Sequence, residues 1–210
     1  MTPDLLLLDL DGLIRHWRDS GAREGERLAG LPPGAFEAAY QLPEYQLAQL
    51  GVLTDQQWAD AVRGHLASRY GPAAAGHAMT PWRADRGEID HHMVALVRAA
   101  RAHLPVAILS NTTTALEADL RLHGIADAFD AVFSSAVLGA AKPAPAVYRA
   151  VTAAMGVRPE RVFFTDDEML HVQGARHAGL RAELFSGAAM FAASLARCGL
   201  PCVSAAADAA

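Results

Sequence analysis

Cysteine is nearly absent: the 210 residues hold two, Cys198 and Cys202, within CGLPC. That spacing is neither C-x-x-C nor a zinc-ligand pattern, so a disulfide framework and a cysteine metal site are both excluded, and the pair reads as reduced packing thiols. Long apolar runs are also missing, since no stretch approaches the roughly 18 residues of a spanning helix. The first apolar run, Leu5 to Leu8, follows Asp4 and is broken by Asp9. It lacks the basic flank of a secretory signal, and the expected compartment is the cytoplasm. Basic charge is in deficit, with 18 Lys and Arg against 23 Asp and Glu, a net −5. Nucleic acid and anionic membranes are therefore poor partners, whereas a small anion held beside a local cation is not excluded. Charged residues make up only 20% and hydrophobic ones 52%, enough for a sizeable core and against global disorder.

What is present begins with LLLLDLDGL at 5–13, an apolar run ending in two carboxylates one residue apart. The run predicts a strand buried on both faces. The second half has a rhythm: helical patterns close on Gly followed by an apolar residue at His123-Gly124-Ile125, Met155-Gly156-Val157, Ala178-Gly179-Leu180 and Cys198-Gly199-Leu200. Glycine in that place accepts the left-handed backbone that ends a helix. Between them lie short apolar runs, VAILSN at 106–111, AVFSS at 131–135, RVFFT at 161–165 and AELFS at 182–186. Strands alternating with amphipathic helices predict an α/β fold with a doubly wound parallel sheet.

Residues 15–95 lack this rhythm and are punctuated by Leu31-Pro32-Pro33-Gly34, Leu42-Pro43 and Tyr70-Gly71-Pro72. Thr54 and Gln57 have capping-box spacing. The segment reads as several helices with no strand, inserted between the first strand and the rest. The expected organisation is thus a core of residues 1–14 and 96–210 with a helical unit over 15–95.

In an open parallel sheet, ligands bind beyond the carboxyl ends of the strands. There this chain places Asp9 and Asp11, Ser110 and Asn111, Lys142, and Asp166 with Asp167. Four aspartates in one crevice repel each other unless a cation bridges them, and hard oxygen ligands favour Mg²⁺. A hydroxyl, an amide and an ammonium suit phosphate oxygens. Residues i and i+2 share a face of an extended chain, so Asp9 and Asp11 are expected to reach one substrate atom.

The ordered set DLDG at 9–12, Ser110-Asn111, Lys142-Pro143 and Asp166-Asp167 resembles the four motifs of the haloacid dehalogenase-like hydrolase superfamily. The insert after the first motif resembles its small helical cap. ILSNTTT and DDEMLHVQGARHAGL resemble the subgroup of sugar-phosphate phosphatases and epoxide-hydrolase phosphatase domains. The resemblance implies Asp9 as nucleophile and Asp11 as general acid and base, helped to hold a proton by its anionic neighbour. It implies Ser110 and the Asn111 backbone amide gripping the phosphoryl group, and Lys142 offsetting charge. Mg²⁺ would be bound by Asp9, the Asp11 carbonyl and Asp167, with Asp166 as direct or water-mediated support. Dehalogenases of the superfamily lack an acid at the position of Asp11, so this aspartate favours phosphoryl transfer: hydrolysis of a small phosphorylated metabolite, with a phosphomutase or a non-catalytic phospholigand binder as alternatives.

Other features read differently. A calcium loop would need an acid at its fifth position, where Leu13 stands. A phosphorylated receiver domain fails because Asp166 and Asp167 come too late in the chain. His171 stands where relatives often have Asn and reads as a surface or packing histidine, with a supporting partner of the acidic pair as the alternative. His16 and Trp17 lie on the way into the insert, and His16 is a candidate for substrate contact. Tyr40, Tyr45, Trp58, Tyr70 and Trp82 read as packing residues, and nothing in the sequence speaks to oligomeric state.

Overall fold

The computed structural model describes residues 2–200, so Cys202 and the tail VSAAADAA lie outside the described residues. Five parallel strands form the central sheet: β1 (Leu5–Leu8), β4 (Val106–Ser110), β5 (Ala131–Ser134), β6 (Val162–Asp166) and β7 (Arg181–Leu184). Their order is β5-β4-β1-β6-β7, which puts the first strand at the centre. Leu8 pairs with Ile108 on one side and Thr165 on the other.

The four leucines of β1 show why this segment is a strand. Leu6 and Leu8 enter one hydrophobic core, Leu5 and Leu7 the other, all with no exposed surface. That is the two-residue period of a strand covered on both faces. One face packs α5 (His91–Arg101), α6 (Leu116–Leu122) and α10 (Ala188–Arg197) through Val97, Leu120 and Leu195. The opposite face packs α8 (Pro145–Met155) and α9 (Met169–His177) through Tyr148 and Val172. The short α7 (Ser135–Leu138) follows β5. Each buried large side chain contributes about 1.5–3 kcal/mol of transfer free energy.

Between β1 and α5 the chain builds a second layer from α1 (Ser20–Ala29), α2 (Pro43–Gln49), α3 (Asp55–Tyr70) and α4 (Pro72–Ala84). It has its own core, including Phe36, Trp58, Val62 and Leu66. Thr54 and Gln57 form the reciprocal capping box that opens α3. Two details differ from the sequence reading. The segment does contain strands: β2 (Arg15–His16) pairs antiparallel with β3 (Glu88–Ile89), a two-residue ribbon too short to carry an alternating pattern. The chain also rejoins the sheet's core before residue 96, because α5 starts at His91, capped by the Asp90 side chain on the Met93 N–H, and buries Met93 and Val94 with the sheet.

Candidate active site

The parallel arrangement brings the carboxyl ends of β1, β4 and β6 side by side, and the sequence places a polar residue after each. Asp9 directly follows β1 and is buried. Its Oδ1 accepts hydrogen bonds from the Leu10 N–H at 2.7 Å and from Lys142 Nζ at 2.8 Å. Lys142 arrives on the loop between α7 and α8. Asn111, just past β4, holds that loop: its Oδ1 accepts from the Lys142 N–H at 2.8 Å and its Nδ2 donates to the Lys142 carbonyl at 2.9 Å. On the far side, Gly174 of α9 lies against Pro143, where a Cβ would meet the Pro143 carbonyl oxygen at 2.6 Å. The ammonium of Lys142 therefore has a fixed place.

Lys142 Nζ also donates to Asp166 Oδ2 at 2.6 Å, making a buried triad of two carboxylates and one ammonium. Burial pushes the Asp9 carboxyl up to about 7, with the Asp166 and Asp11 charges adding and Lys142 opposing. Burial acts on Asp166 in the same direction, but hydrogen bonds from His171 and Lys142 outweigh it and hold that group below the usual carboxylate range. Burial would likewise lower Lys142, and its two anionic partners overcome this and keep it protonated.

His171 is not a surface or merely packing residue, as the sequence suggested. It is buried, with Nδ1 3.0 Å from Asp166 Oδ1. An ionised carboxylate only accepts, so this ring nitrogen is the donor. The Glu168 N–H completes the set at 2.8 Å. Both oxygens of Asp166 are thus committed to protein donors.

Asp167 stands on the open side of the triad. Its carboxylate lies against Gly12, whose φ is +79° and where a Cβ would fall 2.0 Å from Asp167 Oδ2. Partial burial and the charge of Asp166 push the Asp167 carboxyl above its usual range. Ligand atoms of Asp9, Asp166 and His171 lie within 4.8 Å of one another. Two of its members, Asp9 and Asp166, already hold the Lys142 ammonium, whereas Asp9 and Asp167 both border the open cleft. The donors available there are hard oxygens, which suit Mg²⁺. Ser110 supplies a separate signal: its Oγ is buried, lines the same cleft, and has no hydrogen-bond partner among the described residues. A buried orphan hydroxyl is costly unless a ligand oxygen or ordered water reaches it.

Asp11 has surroundings the sequence did not suggest. Rather than facing only another carboxylate, it accepts from Arg15 Nε at 2.7 Å and Nη2 at 3.0 Å, and from Trp17 Nε1 at 2.8 Å. Arg15 is 2% exposed and its Nη1 donates to Asp119 Oδ2 at 2.9 Å, while Arg86 holds the other oxygen of Asp119 at 2.7 Å. The Arg15 guanidinium also lies 4.7 Å from the centre of the Trp17 ring. Arg15 and Asp119 went unnoticed in the sequence. The available hint was that Arg15 and Trp17, two apart on an extended segment, share a face.

The same alternation removes His16. It points the other way, into a surface cleft with Glu88 and Asp90, its Nε2 4.0 Å from Asp90, and lines neither cavity that contains Asp11. Asp9, Asp11, Ser110, Asn111, Lys142 and Asp167 all border one cleft, with Asp166 buried behind it.

Comparison with known proteins adds the following. A family model described as haloacid dehalogenase-like hydrolase matches residues 3–179. Phosphatase MT3486 of Mycobacterium tuberculosis (strain CDC 1551 / Oshkosh) is 41% identical over 92 residues, which is 43% of this chain and 42% of that protein. The match thus spans about two fifths of that relative's length. Among solved structures, the HAD family enzyme bt-2542 from Bacteroides thetaiotaomicron, in complex with magnesium and inorganic phosphate, superposes with a TM-score of 0.72 at 22% identity, covering 88% of this chain and 94% of that one. L-2-haloacid dehalogenase from Xanthobacter autotrophicus, with chloropropionic acid covalently bound, gives 0.63 at 23% identity, covering 96% and 85%. At these identities the likeness is one of fold, shared by enzymes of different chemistry.

Proposed function

The chain belongs to the haloacid dehalogenase-like hydrolase family, and on that premise we propose that it is a Mg²⁺-dependent phosphatase of a small phosphorylated metabolite, working through an aspartyl-phosphate. The observation that carries this reading is the orphan hydroxyl of Ser110, buried in the cleft that also holds Asp9 and Lys142. An anionic tetrahedral group with several acceptor oxygens answers all three at once. Asp11 favours phosphoryl chemistry over halide displacement, because only an alkoxide leaving group needs a proton.

In this mechanism a free oxygen of Asp9 attacks phosphorus while Asp11 gives its proton to the departing ester oxygen, releasing the alcohol. Asp11 then takes a proton from water as that water attacks the acyl phosphate, returning Asp9 and freeing inorganic phosphate. Ser110 Oγ donates to a phosphoryl oxygen throughout, and Lys142 offsets negative charge on Asp9 and the phosphoryl group. Asp166 and His171 act through Lys142 by fixing the ammonium. Bound between Asp9 and Asp167, Mg²⁺ would supply the remaining positive charge that lets two anions approach each other. The helices α1–α4 serve as a cap that excludes water from the intermediate and selects the alcohol.

The test is turnover of p-nitrophenyl phosphate with Mg²⁺, with EDTA, and by Asp9→Asn. Metal-dependent release abolished by the variant is expected. Release that survives Asp9→Asn would remove the nucleophile assignment.

A further inference from the structure

A second cavity of about 230 Å³ adjoins the phosphate cleft, sharing Asp11, Trp17, Tyr45 and Asn111 with it. It is smaller than the roughly 300–1,000 Å³ of pockets for drug-sized ligands, so the group it takes is small. The walls are aromatic. Tyr40, Tyr45, Trp58 and Trp82 line it, and together with Trp17 they include all three tryptophans of the chain. The sequence read four of these rings as packing residues. They do pack, but the faces are set at steep angles: Tyr40 to Tyr45 at 86°, Trp58 to Trp82 at 71°, Tyr40 to Trp58 at 57°. Such rings enclose a volume instead of offering one flat platform, as a sugar ring would require.

The charges decide what the enclosure is for. Three arginines line the cavity, and each is already neutralised: Arg15 by Asp11 and Asp119, Arg86 by Asp119 at 2.6 Å, Arg83 by Asp55 at 2.6 Å. Two further carboxylates on the wall, Asp85 and Asp19, form no salt bridge among the described residues; Arg86, bonded to Asp119, reaches Asp85 only through space. Asp85 accepts only from neutral donors, Ser20 Oγ and the N–H groups of Gly21 and Gly87. Asp19 makes no side-chain hydrogen bond at the start of α1 and holds a left-handed backbone, φ 53°, the only non-glycine residue described with positive φ. Backbone held in that region outside glycine recurs at functional sites. Ring faces are negative and attract cations, most strongly where water is excluded. Aromatic walls with five carboxylates against three guanidinium groups therefore repel a second anion and attract an organic cation.

We infer that this cavity is a subsite for a small alkylammonium group, so that the substrate is the phosphomonoester of an amino alcohol, its phosphate beside Lys142 and its cationic end among Tyr40, Trp58 and Trp82. The assignment rests on the phosphatase reading for its phosphate half only.

Because every tryptophan borders the cavity, binding is read directly by intrinsic fluorescence, without turnover. Choline is titrated against its neutral isostere 3,3-dimethyl-1-butanol. Choline is expected to perturb the emission at a concentration at least about tenfold lower, in line with a cation held against several ring faces. Asp19→Asn removes the charge while keeping a residue type that tolerates the left-handed backbone, and should erase most of that preference. In turnover, phosphocholine should exceed glycerol phosphate in kcat/KM, and the ratio should fall in Asp19→Asn. Equal response to choline and the isostere, or a ratio untouched by the substitution, overturns the subsite. Absence of any Mg²⁺-dependent p-nitrophenyl phosphate release while choline is still preferred would overturn the phosphatase reading and leave the cation subsite standing.

Discussion

Gly12 and Asp167, 155 residues apart in the chain, touch so closely that a methyl group on the first would meet a carboxylate oxygen of the second at 2.0 Å. The left-handed backbone at Gly12, φ +79°, would also cost an alanine about 1–2 kcal/mol. Gly12→Ala should fold, yet displace Asp167 from the proposed ion. The Mg²⁺ concentration for half-maximal turnover is expected to rise by about tenfold, the effect of a lost ligand contact worth roughly 1.4 kcal/mol. An unchanged Mg²⁺ titration would place the ion away from Asp167.

The raised pKa of Asp9, about 7 against an ordinary 3.8, predicts that metal binding at the proposed site is linked to proton release. The folded-state value lies above the unfolded one, so the stability Asp9 contributes is present at acid pH and is lost as pH rises through about 7. A divalent ion reverses this by binding the ionised form. The rise in melting temperature caused by Mg²⁺ should therefore be larger at pH 8 than at pH 6, and calorimetry in buffers of different ionisation heat should register proton release at pH 6.5. A Mg²⁺ shift that is larger at pH 6 would contradict the linkage.

Lys142→Met is expected to abolish turnover and to destabilise the fold in a pH-dependent way. It removes the ammonium from between Asp9 and Asp166, 2.8 and 2.6 Å away. Breaking a buried ion pair costs about 3–5 kcal/mol when the remaining charge persists. Both carboxylates can escape by protonation, so the loss should be small near pH 5 and close to the full amount near pH 8. Denaturant unfolding at the two pH values measures it, and equal losses would show that Lys142 does not govern the charge of these aspartates.

Arg15→Lys keeps the charge but loses the planar fork that grips Asp11 through two nitrogens and Asp119 through a third. Asp119 retains Arg86. Turnover of p-nitrophenyl phosphate should drop by roughly 10²-fold, the scale of a misplaced catalytic group, with only a modest change in melting temperature. Preserved kcat would mean that Asp11 finds its position without the fork.

The strands were legible because their pattern is local. The run Leu5–Leu8 has apolar side chains for both faces of a sheet, and helix-ending glycines such as Gly156, φ 65°, mark the units between strands. The polar residues after β1, β4 and β6 were legible for the same reason, since a parallel sheet gathers those ends at one edge. The ribbon of β2 and β3 was not, because two residues carry no period. Nor was the role of His171, five residues from Asp166, because a histidine near an acidic pair looks the same in sequence whether it faces solvent or donates to a buried carboxylate.

By itself, then, the order of residues determined the α/β class, the burial of an all-leucine strand on both faces and the set of acids, hydroxyl and amine delivered to one edge. Tertiary structure alone decided which of them are spoken for. Arg15 meets Asp119 across 104 residues, Lys142 takes up Asp166, and the rings of the helical layer line one cavity with Asp19 and Asp85. Strand and helix periods arise from neighbouring residues and survive in one dimension, whereas charge compensation and enclosure depend on which side chains the folded chain brings within a few ångströms.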